Sequence, residues 1–96
     1  MPLISLGMKI GPALCCGNTV VVKPDENTSL TALFIASLVK QAGFPDGVFN
    51  VVTGGAEAGE VLVKHEDVRK ISFTGSIEVS RTFLIECHFF KANDYF

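Results

Sequence analysis

With 96 residues, 48% of them hydrophobic and 19% charged, the chain is globular in composition, but a chain of this size buries only roughly 60–70% of the surface its unfolded form exposes, which allows one marginally stable domain at most. A net charge of −2 and no basic run longer than Arg69-Lys70 exclude nucleic acid and anionic membrane as main partners. Cys15, Cys16 and Cys87 form neither a C-x-x-C pair nor an even disulfide set, which points to a reducing compartment.

The apolar start, "MPLISLGMKIGPALCC", lacks a basic leader and is interrupted by Lys9. It reads as a buried amphipathic helix over residues 3–16, not a signal peptide, and no stretch reaches the roughly 18–20 apolar residues that span a bilayer. Gly17 should cap this helix and Pro12 should kink it. "TVVVK", residues 19–23, is a continuous β-branched run of the kind that forms a strand covered on both faces, and Pro24 stops it. Thr28 then caps a helix predicted over 29–42. Leu30, Phe34, Leu38 and Ala42 recur at helical spacing on its apolar face, widened by Ile35 and Val39, and Gly43 and Pro45 end it.

"VFNVV", residues 48–52, is the second predicted strand, followed by Thr53-Gly54-Gly55 and a short helix over about 57–64. A polar connection from His65 to Arg69 leads to a third strand, Ile71 to Thr74, and Ser76 opens a last helix. Strands alternating with helices of this length imply right-handed parallel crossovers, hence an α/β fold with a partial Rossmann-like parallel sheet of about three strands, flanking helices and an incomplete domain. Composition shifts near Ser80. Phe83, Phe89, Phe90, Tyr95 and Phe96 crowd the end of the chain without clear periodicity, so residues 80–96 read as a divergent apolar tail.

Ligands of a parallel α/β sheet lie beyond the carboxyl ends of the strands. Three loops should emerge there: Lys23-Pro24-Asp25-Glu26, Thr53-Gly54-Gly55 and Thr74-Gly75-Ser76. A lysine and a carboxylate can bind ribose hydroxyls, glycines admit a flat base or a phosphate, and a serine beside free N–H groups can hold a pyrophosphate. Each residue also has a plain structural reading: Lys23 and Glu26 as solvated side chains, the glycines as turn residues, Ser76 as a helix N-cap. No G-x-G-x-x-G or Walker motif is present, so spacing alone leaves nucleotide binding open. Cys15-Cys16, Cys87-His88 and His65 read as structural or incidental, and no metal site is expected.

The combination is more specific than its parts. "GPAL", "GNTVVVKP", "AGFPDGV" and "FTGS", in this order and near this spacing, resemble the coenzyme-binding domain of the NAD(P)-dependent aldehyde dehydrogenase superfamily over residues 2–79. The resemblance implies an oxidoreductase parent that oxidises an aldehyde to a carboxylic acid in the cytoplasm or the mitochondrion. It implies that Lys23 and Glu26, with Pro24 between them, hold the adenosine ribose, and a carboxylate there would repel a 2′-phosphate, favouring NAD over NADP. It further implies that Gly55 lines the adenine pocket, on a loop one residue shorter than in many relatives. Ser76, after Gly75, would bind the pyrophosphate, with Val79 beside the adenine.

The departures bear on activity. Aldehyde oxidation in this family uses a cysteine nucleophile, a glutamate general base and an asparagine that stabilises the oxyanion. None of these catalytic residues falls within the matched segment, Cys87 has no family motif around it, and Ser80 stands where the family has glycine. The end of the chain is expected to be aberrant, and this polypeptide alone is expected not to oxidise aldehydes. Two alternatives stand beside a partial NAD site: a non-catalytic interaction module, through self-association or pairing with a full-length dehydrogenase subunit, and a truncated product without function.

Overall fold

A computed structural model describes residues 2–86. The chain divides into two compact units, one ending at Gly55 and one beginning at Ala56. The first holds helix α1 (Pro2–Cys15), strand β1 (Val20–Val22), a single 3-10 turn (Glu26–Thr28), helix α2 (Ser29–Gln41) and strand β2 (Phe49–Val51). The second holds helices α3 (Ala56–Lys64) and α4 (Ile77–Glu86).

β1 and β2 pair in parallel, Val20 opposite Phe49, Val21 opposite Asn50 and Val22 opposite Val51. The ladder extends at both ends through Val20 N–H to Val48 O (2.8 Å) and Val52 N–H to Val22 O (2.9 Å). Asn50 pins this register with its side chain, whose amide donates to Val20 O (3.2 Å) on the neighbouring strand and to Gly47 O (2.9 Å) in the turn before its own. α2 packs on β2, and α1 packs on α2 and β1. The α/β class with a partial parallel sheet is therefore the observed one, while Ile71–Thr74, expected as a third strand, forms no ladder. β-branched composition supplies propensity, but a strand exists only through a partner's hydrogen bonds.

Both helices of the first unit stop in the same way. Gly17 N–H donates to Leu14 O (3.0 Å) and Asn18 N–H to Ala13 O (3.1 Å); Gly43 N–H donates to Lys40 O (3.1 Å) and Phe44 N–H to Val39 O (3.4 Å). Each pair is a Schellman motif, whose pivot residue needs a left-handed backbone. Gly17 at φ 75° and Gly43 at φ 87° supply it. α1 runs unbroken through Pro12, which removes one donor from its ladder.

The start of α2 differs from expectation. Thr28 occupies the N-cap position, but its side chain makes no capping bond. The Asp25 carboxylate instead accepts from Asn27 N–H (2.9 Å) to cap the 3-10 turn, and the Ser29 hydroxyl donates to Asp25 O (3.1 Å).

The inward face of α2 also differs. Ala32 is buried and Ile35, Ala36 and Val39 are half-buried, whereas Leu30 (82% exposed), Phe34 (63%) and Leu38 (41%) point outward. The inward stripe thus keeps Ile35 and Val39 of the expected apolar face and adds Ala32 and Ala36, while the bulkier Leu30, Phe34 and Leu38 lie outside it. In the second unit α3 packs on α4, and Gly59 and Val63 of α3 are buried. α4 continues past Ser80 to Glu86, so the compositional shift there does not interrupt the helix. The aromatic cluster from Phe89 onward and the Cys87-His88 pair lie outside the described residues.

Candidate functional site

In the first unit the carboxyl end of β1 releases the chain into Lys23-Pro24-Asp25-Glu26. Lys23 is half-buried, and its ammonium turns back along its own loop to donate weakly to Pro24 O (3.4 Å). Glu26 opens the 3-10 turn, where Asp25 fixes the backbone on one side and Ser29 on the other; the Ser29 hydroxyl also reaches Glu26 O (3.4 Å).

The carboxyl end of β2 releases Val52-Thr53-Gly54-Gly55, and here two predicted site residues from distant parts of the sequence meet. A Cβ on Gly55 would fall 2.7 Å from Glu26 Oε1 and 3.8 Å from Glu26 Cδ. The Glu26 carboxylate thus lies against the bare Cα of Gly55, at the strand edge where parallel sheets bind ligands.

A cavity of about 130 Å³, lined among others by Val39, Phe44, Pro45 and Phe49, sits at the amino end of β2 and so belongs to the opposite edge.

In the second unit Ser76 is the N-cap of α4. Its Oγ accepts from Val79 N–H (3.4 Å), and its carbonyl accepts from Ser80 N–H (3.0 Å) and from the Ser80 hydroxyl (2.9 Å). Accepting from Val79 uses one lone pair of the hydroxyl and leaves its proton free to donate, while the first-turn N–H groups of Ile77 and Glu78 have no intrahelical partner by the geometry of a helix start. The N-cap role of Ser76 and a phosphate role are therefore compatible. The side chain of Val79 is 41% exposed, open to an apolar contact. Gly75 has the ring of Phe73 folded against it, so close that any side chain at 75 would collide with the ring.

Each unit presents its own set of polar groups at these loops. Glu26 offers acceptors for a ribose diol, Lys23 a cation, and Ser76 with the start of α4 offers donors for an anion. Sequence reasoning singled out each of these residues but missed Asp25, whose Asx-type turn sets Glu26 in place. The signal was an aspartate directly after Pro24 and two residues before Asn27, a common turn arrangement. His65, exposed, accepts from Asp67 N–H at Nδ1 (3.2 Å), a local turn contact. Cys15 and Cys16 are exposed free thiols. Among the described residues no three His, Cys, Asp or Glu side chains gather where a metal could be held, and no helix is long and apolar enough to cross a membrane.

The parallel strand pair with flanking helices agrees with the relatives of the chain. The aldehyde dehydrogenase family model matches residues 1–90. The chain is 62% identical over 81 residues to aldehyde dehydrogenase, cytosolic 1 of Elephantulus edwardii and 60% identical over 81 residues to aldehyde dehydrogenase 1A1 of Homo sapiens, in both cases covering 83% of this chain and 16% of the relative. A solved structure, gamma-glutamyl-gamma-aminobutyraldehyde dehydrogenase from Burkholderia cenocepacia J2315, superposes with a TM-score of 0.86 at 47% identity, over 88% of this chain and 17% of that one. The chain belongs to the aldehyde dehydrogenase family. It spans 16% of the length of the curated relatives it matches.

Proposed function

We propose that this chain carries part of the NAD site of an aldehyde dehydrogenase and does not by itself oxidise aldehydes. In this reading Glu26 and Lys23, set by Pro24, bind the hydroxyls of the adenosine ribose, with Gly55 beside them. Ser76, presented after Gly75, donates to the pyrophosphate, and Val79 offers the adenine an apolar contact. NAD is preferred over NADP because a carboxylate at position 26 repels a 2′-phosphate. The reaction of the parent enzyme is the NAD-dependent oxidation of an aldehyde to a carboxylic acid, and the names of the cytosolic relatives support a cytoplasmic location.

The observation that carries this reading is the meeting of Glu26 and Gly55 at the carboxyl edge of the sheet. The test is thermal unfolding followed by circular dichroism with and without millimolar NAD, since a ligand that binds only the folded state raises its midpoint. A cooperative transition that rises with NAD, and rises less with NADP, is expected; a melt that NAD does not move refutes the reading. NADH formation from a panel of aldehydes, lost in Lys23→Ala, would refute the proposed inactivity.

A second reading rests on a different observation. The outward face of α2 presents Leu30, Leu33, Phe34 and Leu38 to solvent, which suits a module that pairs with a full-length dehydrogenase subunit or with itself. Sedimentation across a concentration series, alone and with a full-length relative, tests it. A monomer under all conditions refutes this reading and leaves the first untouched.

A further inference from the structure

We infer that Gly55 is a positioning residue for Glu26: the side chain it lacks leaves the volume that the Glu26 carboxylate occupies, and this lets the carboxylate present its oxygens to the coenzyme from that place. The inference rests on the proposed role of Glu26 as a ribose ligand and adds a second residue that acts through it.

The backbone is held on both sides of this contact. A Cβ at position 55 would sit 2.7 Å from Glu26 Oε1, well inside ordinary contact. The backbone of Glu26 has little room to retreat, because Thr28 N–H to Asp25 O (3.0 Å), Asn27 N–H to Asp25 Oδ1 (2.9 Å) and Ser29 Oγ to Asp25 O (3.1 Å) hold its turn. On the other side, β2 is tied to β1 up to the bond from Val52 N–H to Val22 O (2.9 Å), three residues before Gly55.

What can give is the Glu26 side chain, which is exposed and rotates freely about its own bonds. A methyl group at 55 would therefore leave the fold intact and swing the carboxylate away. A carboxylate displaced from this place meets the ribose hydroxyls less well, and it also stands less squarely against a 2′-phosphate. Gly55→Ala should thus weaken NAD and narrow the preference for NAD over NADP, with no direct contact between residue 55 and the coenzyme required.

The test uses the full 96-residue chain and two readouts. By NMR, a nuclear Overhauser effect between the Glu26 γ-protons and the Gly55 α-protons is expected, together with a shift of the Gly55 amide in Glu26→Gln. Absence of both overturns the inference whether or not any ligand binds. In NAD and NADP titrations, Gly55→Ala is expected to weaken NAD about five- to tenfold, to lower the NAD/NADP ratio, and to have no further effect in a Glu26→Gln background. Additive losses in the double variant, an unchanged NAD affinity in Gly55→Ala, or unfolding of Gly55→Ala each overturn it. If the unsubstituted chain shows the Overhauser contact but binds no NAD, the proposed function fails and takes the inference with it. If it binds NAD and the losses are additive, the inference alone fails.

Discussion

Asn50 reaches across the sheet to Val20: its side-chain amide donates to the Val20 carbonyl at 3.2 Å while also donating to Gly47 O at 2.9 Å. The backbone ladder of two three-residue strands is short, and this side chain adds a bond between residues thirty positions apart. Replacement by alanine should cost about 1 kcal/mol, the net worth of a part-buried hydrogen bond. Asn50→Asp should cost more than Asn50→Ala, since a carboxylate there faces two carbonyls with nothing to donate. Urea denaturation midpoints of the three proteins check the order.

The Schellman stops rest on backbone sign and not on space. Nothing lies within 4 Å of a Cβ built on Gly43, which sits at φ 87°. Gly43→Ala should therefore destabilise by about 1–2 kcal/mol purely through the left-handed backbone. Gly43→Asn should cost less, because asparagine tolerates that region. Equal losses for the two variants, measured by thermal unfolding, would show that the motif is not what sets the cost.

Ser76 has a structural and a proposed binding role that one substitution can separate. Ser76→Ala removes the cap on Val79 N–H and should destabilise α4 by about 1 kcal/mol, read as faster amide hydrogen exchange in its first turn. Ser76→Asp keeps an N-cap acceptor and adds a charge favourable to the helix start, yet it places an anion where the pyrophosphate would lie. Exchange protection retained with weakened NAD binding is the expected result for aspartate.

Lys9 is half-buried on the inner side of α1, and desolvation lowers its pKa from the ordinary value of 10.5. A lysine with a lowered native pKa binds its proton less tightly folded than unfolded. Stability should therefore rise as pH climbs from the native pKa toward 10.5, the gain coming from release of a proton the native state holds poorly. In Lys9→Met that alkaline rise should vanish, as urea midpoints along a pH series would reveal.

For the outward face of α2, Phe34→Glu changes a side chain that is 63% exposed. The monomer's unfolding midpoint should move little, since surface substitutions mostly stay within about 0.5 kcal/mol. If α2 mediates association, sedimentation of the variant should show a smaller species than the parent at equal concentration.

The sequence made the ends of α2 easier to read than its faces. Gly43 announces its stop because left-handed backbone is costly for other residues, and Ser29 through Gln41 is an unbroken run of helix-compatible residues. The buried stripe was legible only in part: Ile35 and Val39 belonged to the expected apolar face, but Ala32 and Ala36 carry little hydrophobic weight, while Leu30, Phe34 and Leu38 carry much and lie outside. β1 and β2 were legible from the runs TVVVK and VFNVV, each trimmed by one residue at either end, whereas Ile71–Thr74, with an isoleucine, a phenylalanine and a threonine to favour a strand, forms no ladder. At the candidate site, residue types named Glu26, Gly55 and Ser76 individually. That Glu26 lies on Gly55 is a tertiary fact, 29 positions apart in the chain, and only the pairing of β1 with β2 creates it.

The matched stops of α1 and α2 bear on how the sheet is first assembled. Each helix ends on a left-handed glycine, and each hands the chain to a strand within a few residues, so the chain's exit from both helices is set by local hydrogen bonds and not by the ladder. A parallel pair otherwise depends on contacts far apart in sequence, which slow the search for the native state. Here two local turns set how the chain leaves both helices, and the search keeps the task of bringing the two segments side by side.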